Sequence, residues 1–329
     1  MREHLRGQTR RTAAEQRIGA LLSLRIVSLL PSATEIVCAL GLRENLVGVS
    51  HECDFPSDVV GLPIVTAPKI DVDGSSREIH EGVTDLVKGG LSVYRIHTEL
   101  LGELAPDLIV TQDQCEVCAV SYDDVVGATR ELTGTPAEIV SLSPRRLRDV
   151  WRDVETVATA AGIADRGEAM ATELAGRMAS LERRTRRLER TRIACVEWLE
   201  PLMAAGNWVP ELVEAAGGTS DLVGAGAHSP WMEFEDLQRA APDVLCAMPC
   251  GFDLAKTSAE LRDLLRESRW DSLAAVRNDR VFAVDGNAYF NRPGPRLVES
   301  AEILAGLLHP GDCADLLPDG AWAKLTRTS

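Results

Sequence analysis

The chain has 329 residues, 45% of them hydrophobic and 26% charged, with 35 basic against 50 acidic side chains and a formal net charge of -15. That length exceeds what one small core organises and fits two lobes of ordinary size. The acidic balance argues against nucleic acid or an anionic membrane surface as the main partner, and no window is apolar enough to cross a bilayer.

Residues 1–24 are expected to form a leader, floppy or helical. Arg6, Arg10 and Arg11 could serve as the basic start of a secretion signal. The apolar run that follows is short, however, and Arg25 ends it with no small-residue cleavage site. A cytoplasmic location is therefore expected, and an extracytoplasmic one if the start codon lies elsewhere. Eight cysteines without an export signal favour thiols over disulfides.

The first strand is expected at 26–30, closed by Pro31, with Ser32 and Glu35 spaced as a capping box for a helix ending at Gly41. Strand 46–49 follows, and residues 57–97 read as loops with one short helix. A helix at 99–104 leads to strand 107–111, entered through Pro106-Asp107. A helix at 121–132 and a strand at 137–140 complete a first lobe, 25–142. Ser143-Pro144 is expected to start a helix to Ala161. A long helix then carries the apolar stripe Met170, Leu174, Met178, Leu181 and Leu188 towards residue 189. These linking helices occupy 143–190. The arginines at 183–192 read as a solvated helix end favoured by the helix dipole, with an anion site as the alternative.

The second lobe, 191–310, repeats this grammar. Strands are expected at 192–196, 242–247 and 280–284, and helices at 208–216, 233–240, 258–265, 270–276 and 297–308. The strand at 242 again enters through Pro-Asp, a weak internal repeat of fold. Residues 311–329 are expected to be a tail. The pattern is α/β, two Rossmann-like lobes with a ligand cleft outside the carboxyl ends of the strands.

No phosphate-cradling glycine loop, nucleophile elbow or paired-histidine motif is present, so binding is expected in place of catalysis. Cys115 and Cys118 form a Cys-x-x-Cys after the strand at 107–111, and His51 and Cys53 follow the strand at 46–49. If those strands are neighbours, the four side chains crowd one rim. Three readings stay open there: buried thiols filling space, a zinc site of Cys53, Cys115, Cys118 and His51, and a redox pair. Phe55, Tyr94, Trp208, Trp231, Phe252, Tyr289 and Phe290 stand in Gly-, Pro- and Asn-rich contexts. Aromatics on such loops suit a large, flat, partly apolar ligand.

The segments RIVSLLPSATE, LVGVSHECDFP, LAPDLIVTQ, NWVPELVEAAGG, SPWMEFEDL, APDVLCAMP, WDSLAAVRNDRVFAVDG and PGPRLVESAEILAGLLHP resemble the substrate-binding proteins of vitamin B12 ABC importers. They are similar also to the wider siderophore and haem binders of that class. The resemblance covers roughly residues 25–309, and QCEVCA is similar to a subfamily labelled cobalamin-binding. It implies two α/β lobes joined by one long backbone helix, small hinge motion, and a monomer that needs no cofactor and takes cobalamin or another corrinoid as ligand. The positions it implies for ligand contact are Glu52 with its neighbours Asp54 and Phe55, Trp231, and Tyr289, Phe290 and Arg292, joined by Trp208 among the loop aromatics. It implies docking on an ABC permease through Glu99 and Glu235, a pairing of acids with arginines that suits steering and register. If the chain is instead a cytoplasmic relative that serves no importer, that docking loses its basis and His51 becomes a candidate lower axial ligand to cobalt, since neutral imidazole suits such a metal. A siderophore or haem binder, or a thiol protein using the cysteines, is the alternative.

Overall fold

The computed structural model describes residue 19 and residues 21–88, 93–112, 126–127 and 137–326. In chain order its N-terminal lobe contains β1 (Ile26–Ser28), α1 (Pro31–Ala39), β2 (Leu46–Val49), β3 (Thr66–Pro68), α2 (Ser76–Lys88), β4 (Tyr94–Ile96), α3 (Thr98–Leu104), β5 (Leu108–Gln112) and β6 (Glu138–Leu142). The linking helices are α4 (Leu147–Ala160) and α5 (Ala164–Thr185). The C-terminal lobe contains β7 (Thr191–Trp198), β8 (Met203–Ala204), α6 (Val209–Ala215), β9 (Gly218–Thr219), α7 (Phe234–Ala240), β10 (Val244–Ala247), α8 (Leu254–Leu264), α9 (Ala274–Arg277), β11 (Val281–Val284), α10 (Leu297–Leu308) and β12 (Trp322–Leu325).

The N-terminal sheet runs in the order β2-β1-β5-β6, all parallel. The C-terminal sheet runs β12-β11-β10-β7-β8. Its inner three strands are parallel, and β8 and β12 flank them antiparallel. Both sheets are covered on both faces, so successive strand residues alternate between two apolar clusters. Ile193 and Cys195 of β7 and Cys246 of β10 join one cluster. Ala194, Val196, Leu245 and Ala247 join the other. The first of these clusters also holds Ile26, Leu108 and Val110 of the N-terminal sheet, together with residues of α4, α5 and α10. One apolar core therefore runs through both lobes, and each lobe adds a separate cluster on its outer face.

The linking helices pack at close range. A Cβ on Gly167 of α5 would stand 2.5 Å from Ala158 Cβ of α4, so glycine is what lets the backbones approach. The α5 stripe is Ala171, Leu174, Met178 and Leu181, all buried. The helix stops at Thr185, short of the expected end. Arg184 in its last turn pairs with Asp315, and beyond the helix Arg192 pairs with Asp243, 3.0 Å away. α4 starts at Leu147 and not at Pro144, because the Asp149 carboxylate accepts the backbone N–H of Arg145 and Arg146 at 3.2 and 3.0 Å. Asp253, not Ser258, caps α8, accepting the Lys256 N–H at 2.7 Å.

The internal repeat is real in backbone detail. α3 and α7 each end in a left-handed alanine, Ala105 at φ 41° and Ala241 at φ 42°. Pro-Asp follows each, and each Asp backbone N–H donates to the arginine just before the adjacent strand or near its start. These bonds are Asp107 to the Arg25 carbonyl at 2.8 Å and Asp243 to the Arg192 carbonyl at 2.9 Å.

Three expectations need correction. β2 and β5 are not neighbours, because β1 pairs with both. The strands that lead to His51 and to Cys115 are therefore one strand apart. The expected tail enters the C-terminal sheet: β12 pairs with β11 in the register Val281↔Leu325 to Val284↔Trp322 and closes an edge. The stretch 57–97 is more ordered than a loop. β3 and β4 pair antiparallel, and the 13-residue α2 lies between them.

Candidate functional site

The carboxyl ends of the two sheets face each other across a boundary that the loops after β1, β2, β7, β10 and β11 fill. Its centre is ionic. Glu35 of α1 is 3% exposed and meets two arginines from the loop between β11 and α10. Arg296 Nε and Nη2 donate to Glu35 Oε2 and Oε1 at 2.9 and 2.5 Å, and Arg292 Nη1 stands 3.4 Å from Oε1. Arg292, 6% exposed, also grips Asp54 through Nη1 at 2.5 Å and Nη2 at 3.1 Å, and reaches the Glu52 carbonyl and Asn287 Oδ1. Asn287 Nδ2 completes the ring by donating to Asp54 Oδ2 at 2.9 Å. The Arg296 guanidinium lies 4.0 Å from the Phe55 ring centroid and 5.4 Å from that of Tyr289, within cation–π range of both.

Charge is balanced within this ring. Burial alone would lower the Arg292 guanidinium, and Asp54 and Glu35 outweigh it and hold it firmly charged. Burial would raise the Asp54 carboxyl, and the Arg292 and Asn287 bonds bring it below its ordinary range. Burial pushes the Glu52 and Asp285 carboxyls up. Glu52 Oε1 accepts from the Tyr94 hydroxyl at 3.1 Å, and Asp285 Oδ1 accepts the Ala288 N–H at 2.7 Å.

His51 is half-buried at the end of β2. Its Nδ1 is 2.7 Å from Thr66 Oγ1, and its ring centroid is 5.3 Å from that of Tyr94. Nε2 has no partner among the described residues, and burial holds the imidazole below its usual range, so the ring is neutral at pH 7. Cys53 is buried, with Thr34 Oγ1 3.0 Å from its sulfur and 2.8 Å from Ser28 Oγ. Burial pushes its thiol to about 11. That is the environment of a packed thiol. Among the described residues no three His, Cys, Asp or Glu side chains gather closely enough to hold a metal ion. Cys115 and Cys118, the other two members of the expected zinc set, lie outside the described residues.

The aromatics divide. Phe55 and Tyr289 stand at the boundary as expected. Trp231 is 55% exposed at its rim, edge-on to His80 with centroids 4.9 Å apart, beside a surface cavity of about 400 Å³ lined by Leu222, Pro230 and Met232. Trp208 and Phe290 are instead core residues. Phe290 is fully buried, and the Trp208 indole N–H donates to its carbonyl at 2.7 Å. A positive φ of 60° at Phe290 turns its ring inward while leaving Tyr289 outside. Glu99 and Glu235 are both exposed, each the second residue of a seven-residue helix, and neither has an ion-pair partner among the described residues.

Sequence reasoning missed Glu35 and Arg296. The expected capping box is absent: Pro31 opens α1, Leu30 is the N-cap with no side-chain bond, and Glu35 serves the other lobe. The available signal was Arg296 spaced four residues after Arg292 in a rigid RPGPR turn. The site can clasp and orient a ligand between lobes, and it offers hydrogen-bonding groups whose charges are already matched.

A family model described as a periplasmic binding protein matches residues 26–288. The uncharacterized ABC transporter substrate-binding lipoprotein YvrC of Bacillus subtilis is 22% identical over 300 residues, covering 87% of this chain and 80% of the relative. The vitamin B12-binding protein of Vibrio parahaemolyticus is 22% identical over 279 residues, covering 84% and 86%. Among solved structures, the periplasmic heme-binding protein RhuT from Roseiflexus superimposes with a TM-score of 0.65 at 24% identity, covering 88% of this chain and 98% of that one.

Proposed function

We propose that this chain, which belongs to the periplasmic binding protein family, binds a corrinoid between its lobes and delivers it to an ABC permease. It acts by binding, without catalysis. The observation that carries the reading is the charge-matched ring of Glu35, Asp54, Asn287, Arg292 and Arg296, flanked by the rings of Phe55 and Tyr289. A corrin is a broad ring edged with neutral amide side chains. Aromatic faces would cover its plane, and Glu52, Asp54, Asn287 and Tyr289 would pair with the amides. The carboxylates of haem or of an acidic siderophore need unmatched cations. Both arginines here are already committed to carboxylates, which favours the corrinoid.

His51 adds a further element to this reading. Thr66 on Nδ1 orients the ring, as an outer partner does for a metal-ligating imidazole. Nε2 is left as a neutral donor for the cobalt of the bound corrinoid. Trp231 would act as a rim contact. Glu99 and Glu235, at matching positions of the two lobes, would meet permease arginines. No helix of the described residues is long and apolar enough to cross a membrane. The expected cytoplasmic location gains no support from the relatives, one of which is named a lipoprotein. We place the protein's work on the extracytoplasmic side.

The test is a parallel titration of the purified protein with cyanocobalamin and with haemin, followed by absorbance and calorimetry. Saturable binding of cyanocobalamin with none of haemin supports the reading. Haemin binding alone would replace it with a haem binder, and binding of neither would remove the ligand class altogether.

A further inference from the structure

Segment 69–88 leaves the N-terminal lobe between β3 and β4, and the first half of α2 lies against the C-terminal lobe. Five contacts join the two, and on the C-terminal side they fall on the end of β7, the loops at 200 and 231, and α8. The Glu260 carboxylate of α8 accepts the Ser76 backbone N–H at 3.0 and 3.2 Å and also bonds the Ser76 hydroxyl. It thereby satisfies a free N–H at the start of α2 from the opposite lobe. The Trp198 indole N–H, at the end of β7, donates to the Ser76 carbonyl at 3.1 Å. Arg77 Nη2 donates to Glu200 at 2.6 Å, and Lys256 Nζ donates to the Val72 carbonyl at 2.9 Å. His80 stacks edge-on against Trp231.

We infer that segment 69–88 is a strap that fastens the lobes together across one side of the ligand boundary and sets how fast a bound ligand leaves. The geometry separates this fastening from the central ring. The strap contacts β7, the loop at 200 and α8, whereas the ring joins α1 and the loop after β2 to the loop after β11. Ser76 is the hinge point of the device. It is fully buried although it belongs to an otherwise half-exposed helix, and three separate polar atoms of it are held by Glu260 and Trp198. On the N-terminal side the strap is anchored by its own hairpin and by Ile70 and Val83, which pack on the outer cluster of that lobe. Loss of the Glu260 and Trp198 bonds frees α2 without disturbing that anchor. The C-terminal partner keeps its own support, since Asp253 caps α8 independently.

The test uses the full-length protein without ligand. Hydrogen exchange of residues 76–88 and 254–264 is compared in wild type, Glu260→Ala, Glu260→Gln and Trp198→Phe. Glu260→Ala removes a cap and its charge-assisted bonds, so exchange in the first turn of α2 should rise about five- to tenfold. Residues 254–264 should remain as protected as before. Glu260→Gln keeps an acceptor oxygen and should recover part of the protection. Trp198→Phe keeps the ring that packs at 5.2 Å on Phe252 and loses only the donor, and should loosen 76–80 by a smaller factor. Unchanged exchange in Glu260→Ala, or loosening of 254–264 together with 76–88, would overturn the strap. The ligand arm rests on the corrinoid reading: with cyanocobalamin as probe, Glu260→Ala should release it faster by a similar factor. A loosened strap with an unchanged release rate would overturn the gating role. Failure of wild type to bind cyanocobalamin would instead remove the ligand reading and leave the exchange result standing.

Discussion

Glu35→Gln is the sharpest perturbation of the site. The substitution is nearly isosteric and removes the one buried carboxylate that two arginines share, at 2.5 and 2.9 Å from Arg296 and 3.4 Å from Arg292. Removing one partner of a buried ion pair costs about 3–5 kcal/mol, because the other charge is left without compensation. Two features put this case at the low end. Arg292 keeps Asp54, and Arg296 keeps the ring faces of Phe55 and Tyr289. An unfolding entropy of about 2.1 cal/mol/K per residue gives about 0.7 kcal/mol/K for 329 residues, so a loss of about 3 kcal/mol lowers Tm by about 4 °C. Differential scanning calorimetry at pH 7 reads this directly. Arg296→Met should cost less, since Glu35 then retains Arg292, and the double variant should fall short of the sum. A Tm for Glu35→Gln within about 1 °C of wild type would refute the claim that Glu35 neutralises the arginines across the lobes.

Burial and the Asp149 charge push the Asp153 carboxyl to about 7, and its Oδ2 has no partner. Its folded-state value lies above the unfolded one, so its favourable contribution is complete below pH 3.8 and is lost as pH rises through about 7. Asp153→Asn should therefore stabilise the protein at pH 8 by about 1–2 kcal/mol, after allowance for partial hydration, and make no difference below pH 4; equal stability at pH 8 would contradict this. In hydroxocobalamin titrations His51→Ala should abolish a wild-type shift of the corrin band while cyanocobalamin still binds, and an unchanged shift would exclude His51 as the axial ligand. Burial raises the thiols of Cys53 to about 11 and of Cys195 to about 12. Iodoacetamide at pH 8 should leave both unlabelled in the native protein, as mapped by mass spectrometry, and rapid labelling would show that these thiols are not buried. Zinc at Cys115 and Cys118 is a separate proposal, checked by elemental analysis of the wild type beside Cys115→Ser and Cys118→Ser.

Much of this architecture can be read from short-range pattern. The strands at 26, 46, 108, 244 and 281 are apolar runs with breakers at their ends, and α10 matches its expected limits because its apolar content is local. The two Pro-Asp entries were visible as a repeat, since the same backbone turn requires the same residues. What escaped depends on distant partners. Glu35 sits in a sequence that satisfies a local capping rule, yet its partner is 261 positions away. β12 is a short polar-apolar mixture that becomes a strand only because β11 offers an edge. Trp208 and Phe290 share the glycine- and asparagine-rich context of Tyr289, and only the backbone turn at Phe290 separates core from surface. α2 has a clear apolar face, but its charged residues hid the fact that its first turn belongs partly to the other lobe.

The apolar cluster that joins the two sheets through α4, α5 and α10 also governs how the molecule comes apart. Residues of both lobes complete the same packing, so severing the chain after β6 would strip each half of a wall and expose apolar surface to water. Neither half is then expected to fold by itself. Heat or urea should melt the pair in one cooperative step, and a weak point in either lobe is felt as a loss of stability in both.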